Sequence, residues 1–83
     1  MNKQYNCTIL FNRAIAYSKV NLLQETLNDL SKAIEINPEY VKAYMKRGDI
    51  YMSQQQYEEA MHDFAKVKEI DPCNYLIILI IIL

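Results

Sequence analysis

One glycine, two prolines and no tryptophan occur among the 83 residues. A sheet of several strands needs turn residues at every reversal, so a chain this poor in glycine and proline is not an all-β domain. Cysteine is also scarce. Cys7 and Cys73 lie near opposite ends without a CxxC pair, and His62 is the single histidine, so zinc and dithiol sites lack ligands and no metal or cofactor is expected. The opening MNKQYNC is polar and has no apolar stretch of the secretory type. Two reduced thiols in a reducing, cytoplasmic compartment follow as the expectation.

A surplus of either charge is missing too. Nine basic and ten acidic side chains give a net charge of -1, whereas nucleic-acid binding by counterion release needs a basic excess. No nucleic-acid partner is expected. Catalytic signatures are likewise absent, with no nucleophile elbow, P-loop, HExxH or dinucleotide fingerprint. His62 and Asp63 are neighbours, and adjacent side chains on a helix point in different directions, so they do not read as a base and its orienting acid. Glu58, Glu59, Asp63 and Glu69, together with Lys66 and Lys68, read as a solvated face. The chain is not expected to be an enzyme.

What the sequence does hold is an internal repeat. Offset by 34 residues, Cys7 to Tyr40 aligns with Val41 to Asn74, and eight positions are identical: Arg13/Arg47, Tyr17/Tyr51, Glu25/Glu59, Asp29/Asp63, Lys32/Lys66, Glu35/Glu69, Ile36/Ile70 and Pro38/Pro72. Apolar residues recur at helical spacing on both sides of a polar break in each copy. Leu10, Ala14 and Tyr17 precede a turn at Val20-Asn21-Leu22, with Leu23, Leu27, Leu30 and Ile34 after it; Tyr44, Gly48 and Tyr51 precede Gln54-Gln55-Gln56, with Tyr57, Met61, Phe64 and Val67 after it. The expectation is an all-α chain of two helix-turn-helix units. Residues 1–6 form a lead-in, 7–40 and 41–74 the units, and 75–83 an apolar tail ending in a short helical segment. Asn37-Pro38 and Asp71-Pro72 end the second helices, since proline cannot continue a helix and Asn or Asp can cap the next one.

The second unit carries Tyr44, Gly48, Tyr51, Tyr57, Ala60, Phe64 and Pro72, and at that spacing it resembles the tetratricopeptide repeat (TPR). The first resembles it more loosely through Leu10, Ala14, Tyr17, Leu23, Leu30, Ala33 and Pro38, with Thr26 where the family has a small residue. The resemblance implies a right-handed α-solenoid. Gly48 and Ala60 would sit where the paired helices approach most closely, and Tyr51, Tyr57 and Phe64 would fill the groove between them.

Charge divides by helix. Residues 1–20 carry +3 and residues 38–53 carry +1, against -2 for residues 21–37 and -3 for residues 54–71. First helices line the concave face of TPR arrays, so by resemblance the groove is positive and its shell acidic, which suits a carboxylate-bearing peptide. The run from Leu10 to Tyr17 and the run from Val41 to Gly48 are similar to those of chaperone-binding TPR domains, where an Asn and two cations one turn apart belong to a clamp for the terminal Glu-Glu-Val-Asp of heat-shock chaperones. The resemblance assigns that role to Asn12, Lys42 and Lys46, with Phe11, Ile15 and Met45 as apolar contacts beside them. Residues 42 and 46 do share one helix face. The other reading of the two lysines is a solvated face, with Lys42 beside Glu39.

Three functional readings follow. The leading one is a protein-interaction module of the adaptor or co-chaperone type, binding an extended or C-terminal acidic peptide. The second is a partial array that associates with copies of itself, because two units leave both end faces open. The third is attachment to a membrane through Leu76 to Leu83. As a helix that block is only ~12 Å long, against a hydrocarbon core of ~30 Å, so it cannot span a bilayer. It is expected to pack on the open face of the last helix.

Overall fold

Each stretch of helical periodicity forms a helix. The computed structural model describes the backbone of residues 3–82; Met1, Asn2 and Leu83 lie outside the described residues, as do the side chains at 3, 4, 78 and 82. The helices are α1 (Lys3–Lys19), α2 (Leu23–Ile36), α3 (Val41–Ser53), α4 (Tyr57–Ile70) and α5 (Pro72–Ile82), with no strand among the described residues. α1 packs on α2 and α3 on α4 as antiparallel pairs, and smaller α2–α3 and α4–α5 interfaces stack them in order. The molecule measures 38 × 26 × 18 Å.

Both turns fall where the polar breaks place them. Asn21 and Gln55, one period apart, each have φ of 62°. Behind them the amides of Leu22 and Gln56 donate to the carbonyls of Tyr17 and Tyr51 at 3.0 and 2.8 Å, the closing bonds of a Schellman stop. The start of α5 is set by Asp71, whose carboxylate accepts from the amide and side chain of Asn74, both at 3.3 Å, with Pro72 at the first helical position, where its missing N–H costs nothing. Asn37 acts differently from the expected cap: its side chain accepts from the Glu39 amide at 3.1 Å, closing the loop before α3.

Two apolar clusters hold the stack. Ala14, Leu30, Ala43 and Ile50 form one, and Tyr44, Ala60, Phe64 and Val67 the other. Full burial of a side chain such as Leu30 contributes roughly 1.5–3 kcal/mol. Gly48 and Ala60 mark the close approach, since a Cβ on Gly48 would stand 2.7 Å from Phe64 Cε1. Thr26 fits its small-residue position by donating its hydroxyl to the Leu22 carbonyl at 2.9 Å, which removes the cost of burying it.

Three expectations are corrected. Asp63 is buried, not solvated, and receives two hydrogen bonds from Arg47. Tyr57 does not fill the groove; it is 56% exposed, as is Met61 at 68%. Their counterparts Leu23 and Leu27 are packed by the cluster that contains Ile50 of α3, whereas Tyr57 and Met61 belong to neither cluster. Much of the closing block stands open: Tyr75, just before it, reaches the second cluster and Leu79 is half-buried, while Leu76, Ile77, Ile80 and Ile81 are exposed.

Candidate functional site: a groove along the first helices

The repeated ion pairs are the rigid base on which the groove rests. Arg13 donates to both oxygens of Asp29 at 2.7 and 2.8 Å, and Arg47 donates to both oxygens of Asp63 at 2.8 and 2.7 Å. Each pair joins the first helix of a unit to the second, in the two-point geometry that a guanidinium favours. The Asp29 carboxylate holds the Arg13 guanidinium above its ordinary value, by hydrogen bonding first and charge second. Asp63 raises Arg47 in the same way, with burial opposing it. Arg47 also donates to the Ser31 hydroxyl at 3.1 Å, so it ties the first unit to the second. Position 13 and position 29 therefore belong to the scaffold.

A cavity of about 450 Å³ opens between the first helices, lined by Thr8, Phe11, Asn12, Glu39, Tyr40, Val41, Lys42 and Asn74. Three of the expected residues meet there: Phe11, Asn12 and Lys42. The Phe11 and Tyr40 rings form one wall, with centroids 5.5 Å apart at 48°. Burial raises the Tyr40 phenol above its ordinary value of 10.0, a hydrogen bond with Thr8 works against this, and Cys7 adds a smaller upward push. Asn12 and Lys42 are exposed, and among the described residues neither Lys42 nor Lys46 is in an ion pair. Lys42 and Glu39 line the same cavity without forming one.

The other three expected residues lie outside this lining. Lys46 is half-buried one turn further along α3, and Ile15 is half-buried on α1. Met45 packs against the cluster of Tyr44, Ala60, Phe64 and Val67, so its side chain is shared with the core. Sequence reasoning passed over Thr8, Tyr40 and Asn74. A signal was present: Thr8 precedes Asn12 by one turn, and Asn74 stands one period after Tyr40.

A second concavity, of about 550 Å³, lies along α4 beside Tyr57, Glu58, Met61, His62 and Ala65. Its five lining residues all come from one helix, so no facing wall converges on a ligand. Among the described residues there is no group of three His, Cys, Asp or Glu that could hold a metal, and no helix is long and apolar enough to cross a membrane.

The family model of the tetratricopeptide repeat matches residues 41–72. The chain is 39% identical over 69 residues to a DnaJ homolog subfamily C member 7 homolog of Dictyostelium discoideum, covering 83% of this chain and 13% of that protein. It is 36% identical over 66 residues to human DnaJ homolog subfamily C member 7, covering 80% and 13%. Against Hsp70-Hsp90 organizing protein 2 of Arabidopsis thaliana it is 36% identical over 63 residues, covering 76% and 11%. The chain thus spans only about an eighth of the length of these curated relatives. No solved structure matches it. These likenesses indicate no catalytic family, and with the paired helices, the Gly48–Phe64 contact and the 34-residue period they make this chain a tetratricopeptide-repeat protein.

Proposed function

We propose that the chain is an adaptor of the co-chaperone type that binds the acidic C-terminal end of a partner polypeptide, with the tail of a heat-shock chaperone as the first candidate. The observation that carries this reading is Lys42, exposed and outside any ion pair among the described residues, in one cavity with Asn12 and the Phe11–Tyr40 wall. A carboxylate there meets one cation and one amide donor, and Lys46 offers a second cation one turn along α3. Names among the relatives point the same way, since one is an Hsp70-Hsp90 organizing protein. Cytoplasmic location belongs to this reading. The units at 7–40 and 41–74 are its structural frame.

Contacts of this kind are open to water, so each contributes about 0.5–1.5 kcal/mol, and binding weakens as salt rises. The test is fluorescence anisotropy with a labelled Glu-Glu-Val-Asp peptide. Lys42→Glu weakens binding and Glu39→Gln strengthens it, because Glu39 opposes an incoming carboxylate. Unchanged affinity in both variants contradicts the reading.

A second reading is favoured by the exposure of Ile80 and Ile81, 75% and 77%: the chain associates with itself through α5. Sedimentation velocity across a concentration series decides it, with a mass that rises with concentration in its favour.

A further inference from the structure

The cavity between the first helices does not attract acid alone. Among the described residues that line it, Glu39 is the one acid and Lys42 the one base. Both are exposed, and neither is in an ion pair among the described residues. Opposite charges three residues apart are near enough to pair and cancel; here each stays available to a ligand. Asn12 of α1 and Asn74 of α5 share the lining, and their amides both donate and accept, so they suit a ligand group of either sign.

The loop before α3 holds Glu39 in place. Its amide donates to the Asn37 side chain at 3.1 Å, the Tyr40 amide donates to the Asn37 carbonyl at 3.1 Å, and the Tyr44 hydroxyl donates to the Pro38 carbonyl at 2.8 Å. The backbone is thus tied on both sides of Glu39, while its carboxylate is left to solvent. The repeat itself does not need an acid here. Cys73 stands one period later, whereas the pairs Arg13–Asp29 and Arg47–Asp63 recur as part of the scaffold. An acid before α3 also suits the positive end of that helix, but that role does not change which peptide binds.

We propose that Glu39 forms an acidic subsite beside Lys42, and that the groove selects peptides with a lysine or arginine two positions before an acidic C-terminal residue. This rests on the peptide-binding reading and narrows the partner to chains whose acidic end is interrupted by one base. Residues two apart in an extended peptide point to the same side and are about 7 Å apart. The terminal carboxylate can therefore meet Lys42 while the base turns toward Glu39. A uniformly acidic end gains at Lys42 and loses at Glu39, whereas a mixed end gains at both.

The experiment uses the full chain, its Glu39→Gln variant and three labelled peptides: one ending Glu-Lys-Val-Asp, one ending Glu-Gln-Val-Asp, and the lysine peptide with an amidated C terminus. The wild type binds the lysine peptide about threefold more tightly than the glutamine peptide, the size of one exposed ion pair, and the preference shrinks at high salt. In the variant that preference disappears, while the glutamine peptide binds at least as tightly as to the wild type, which also shows that the fold is intact. Equal affinity of the wild type for the lysine and glutamine peptides overturns the acidic subsite and leaves the carboxylate reading standing. A lysine preference that the variant keeps assigns the base to another group and overturns the proposal. Equal affinity for the free and amidated lysine peptides, or no binding by any of the three, overturns the carboxylate reading and the subsite with it.

Discussion

The guanidinium of Arg47 meets the carboxylate of Asp63 at two points, 2.8 and 2.7 Å apart, and the Asp63 side chain is 4% exposed. Arg13 and Asp29 repeat the contact one period earlier, but there the arginine is 52% exposed against 20% for Arg47. The difference follows from position in the stack. Arg47 is flanked by α2, whose Ser31 hydroxyl accepts a third bond from it.

Removing Arg47 leaves a buried, unpaired carboxylate, so Arg47→Met destabilises the fold by roughly 3 kcal/mol, at the lower end for a broken buried pair because the guanidinium is partly wet. Arg13→Met costs less. Urea unfolding of the two variants measures this, and an equal or reversed order contradicts the stacking account.

Gly48 and Phe64 are coupled sterically. A Cβ on Gly48 would stand 2.7 Å from the ring, so Gly48→Ala introduces a clash of about 1–3 kcal/mol against a helix-propensity gain of ~1 kcal/mol. The net is a loss of about 1 kcal/mol. Phe64→Leu relieves the clash, and the double variant is more stable than the two single losses added together. Strict additivity in the denaturation midpoints tells against the contact.

Gln55 occupies left-handed backbone with φ of 62°. A side chain pays for this conformation and glycine does not, so Gln55→Gly stabilises by roughly 0.5–1 kcal/mol. The gain at Asn21 is smaller, since asparagine tolerates the region better. Thermal midpoints of both variants give the comparison.

Burial raises the Tyr40 phenol above its ordinary 10.0. A raised folded-state value means that the neutral form is favoured by the fold. The stabilisation is complete below about pH 10 and is lost as pH rises through the higher folded value. Alkaline titration followed at the tyrosinate absorbance shows a late-ionising component that Tyr40→Phe diminishes. A late component unchanged in the variant contradicts the assignment to Tyr40.

Much of this was legible because the repeat is local. The period located the turns at Asn21 and Gln55, the small residue against Phe64, and Asp71-Pro72 at a helix boundary, since each depends on residues close in sequence or on one packed pair. Asp63 was read as solvated because its partner lies sixteen residues away on another helix, and helical periodicity does not say which polar face meets which. Lys42 stood out in the sequence by its charge, and Phe11 and Asn12 by the resemblance; that these three line one cavity is a property of the stack. Thr8, Tyr40 and Asn74 carry no charge, and only the stacking of three first helices brings them together.

The central claim is that a terminal carboxylate is held beside Lys42 and Asn12. Isothermal titration of the full chain with a Glu-Glu-Val-Asp peptide, free and C-terminally amidated, tests it most directly. The account predicts weak, saturable binding of the free acid, a loss of about fivefold on amidation, roughly the 1 kcal/mol of one water-exposed contact, and a smaller difference at high salt. Equal affinity for the two peptides would contradict it.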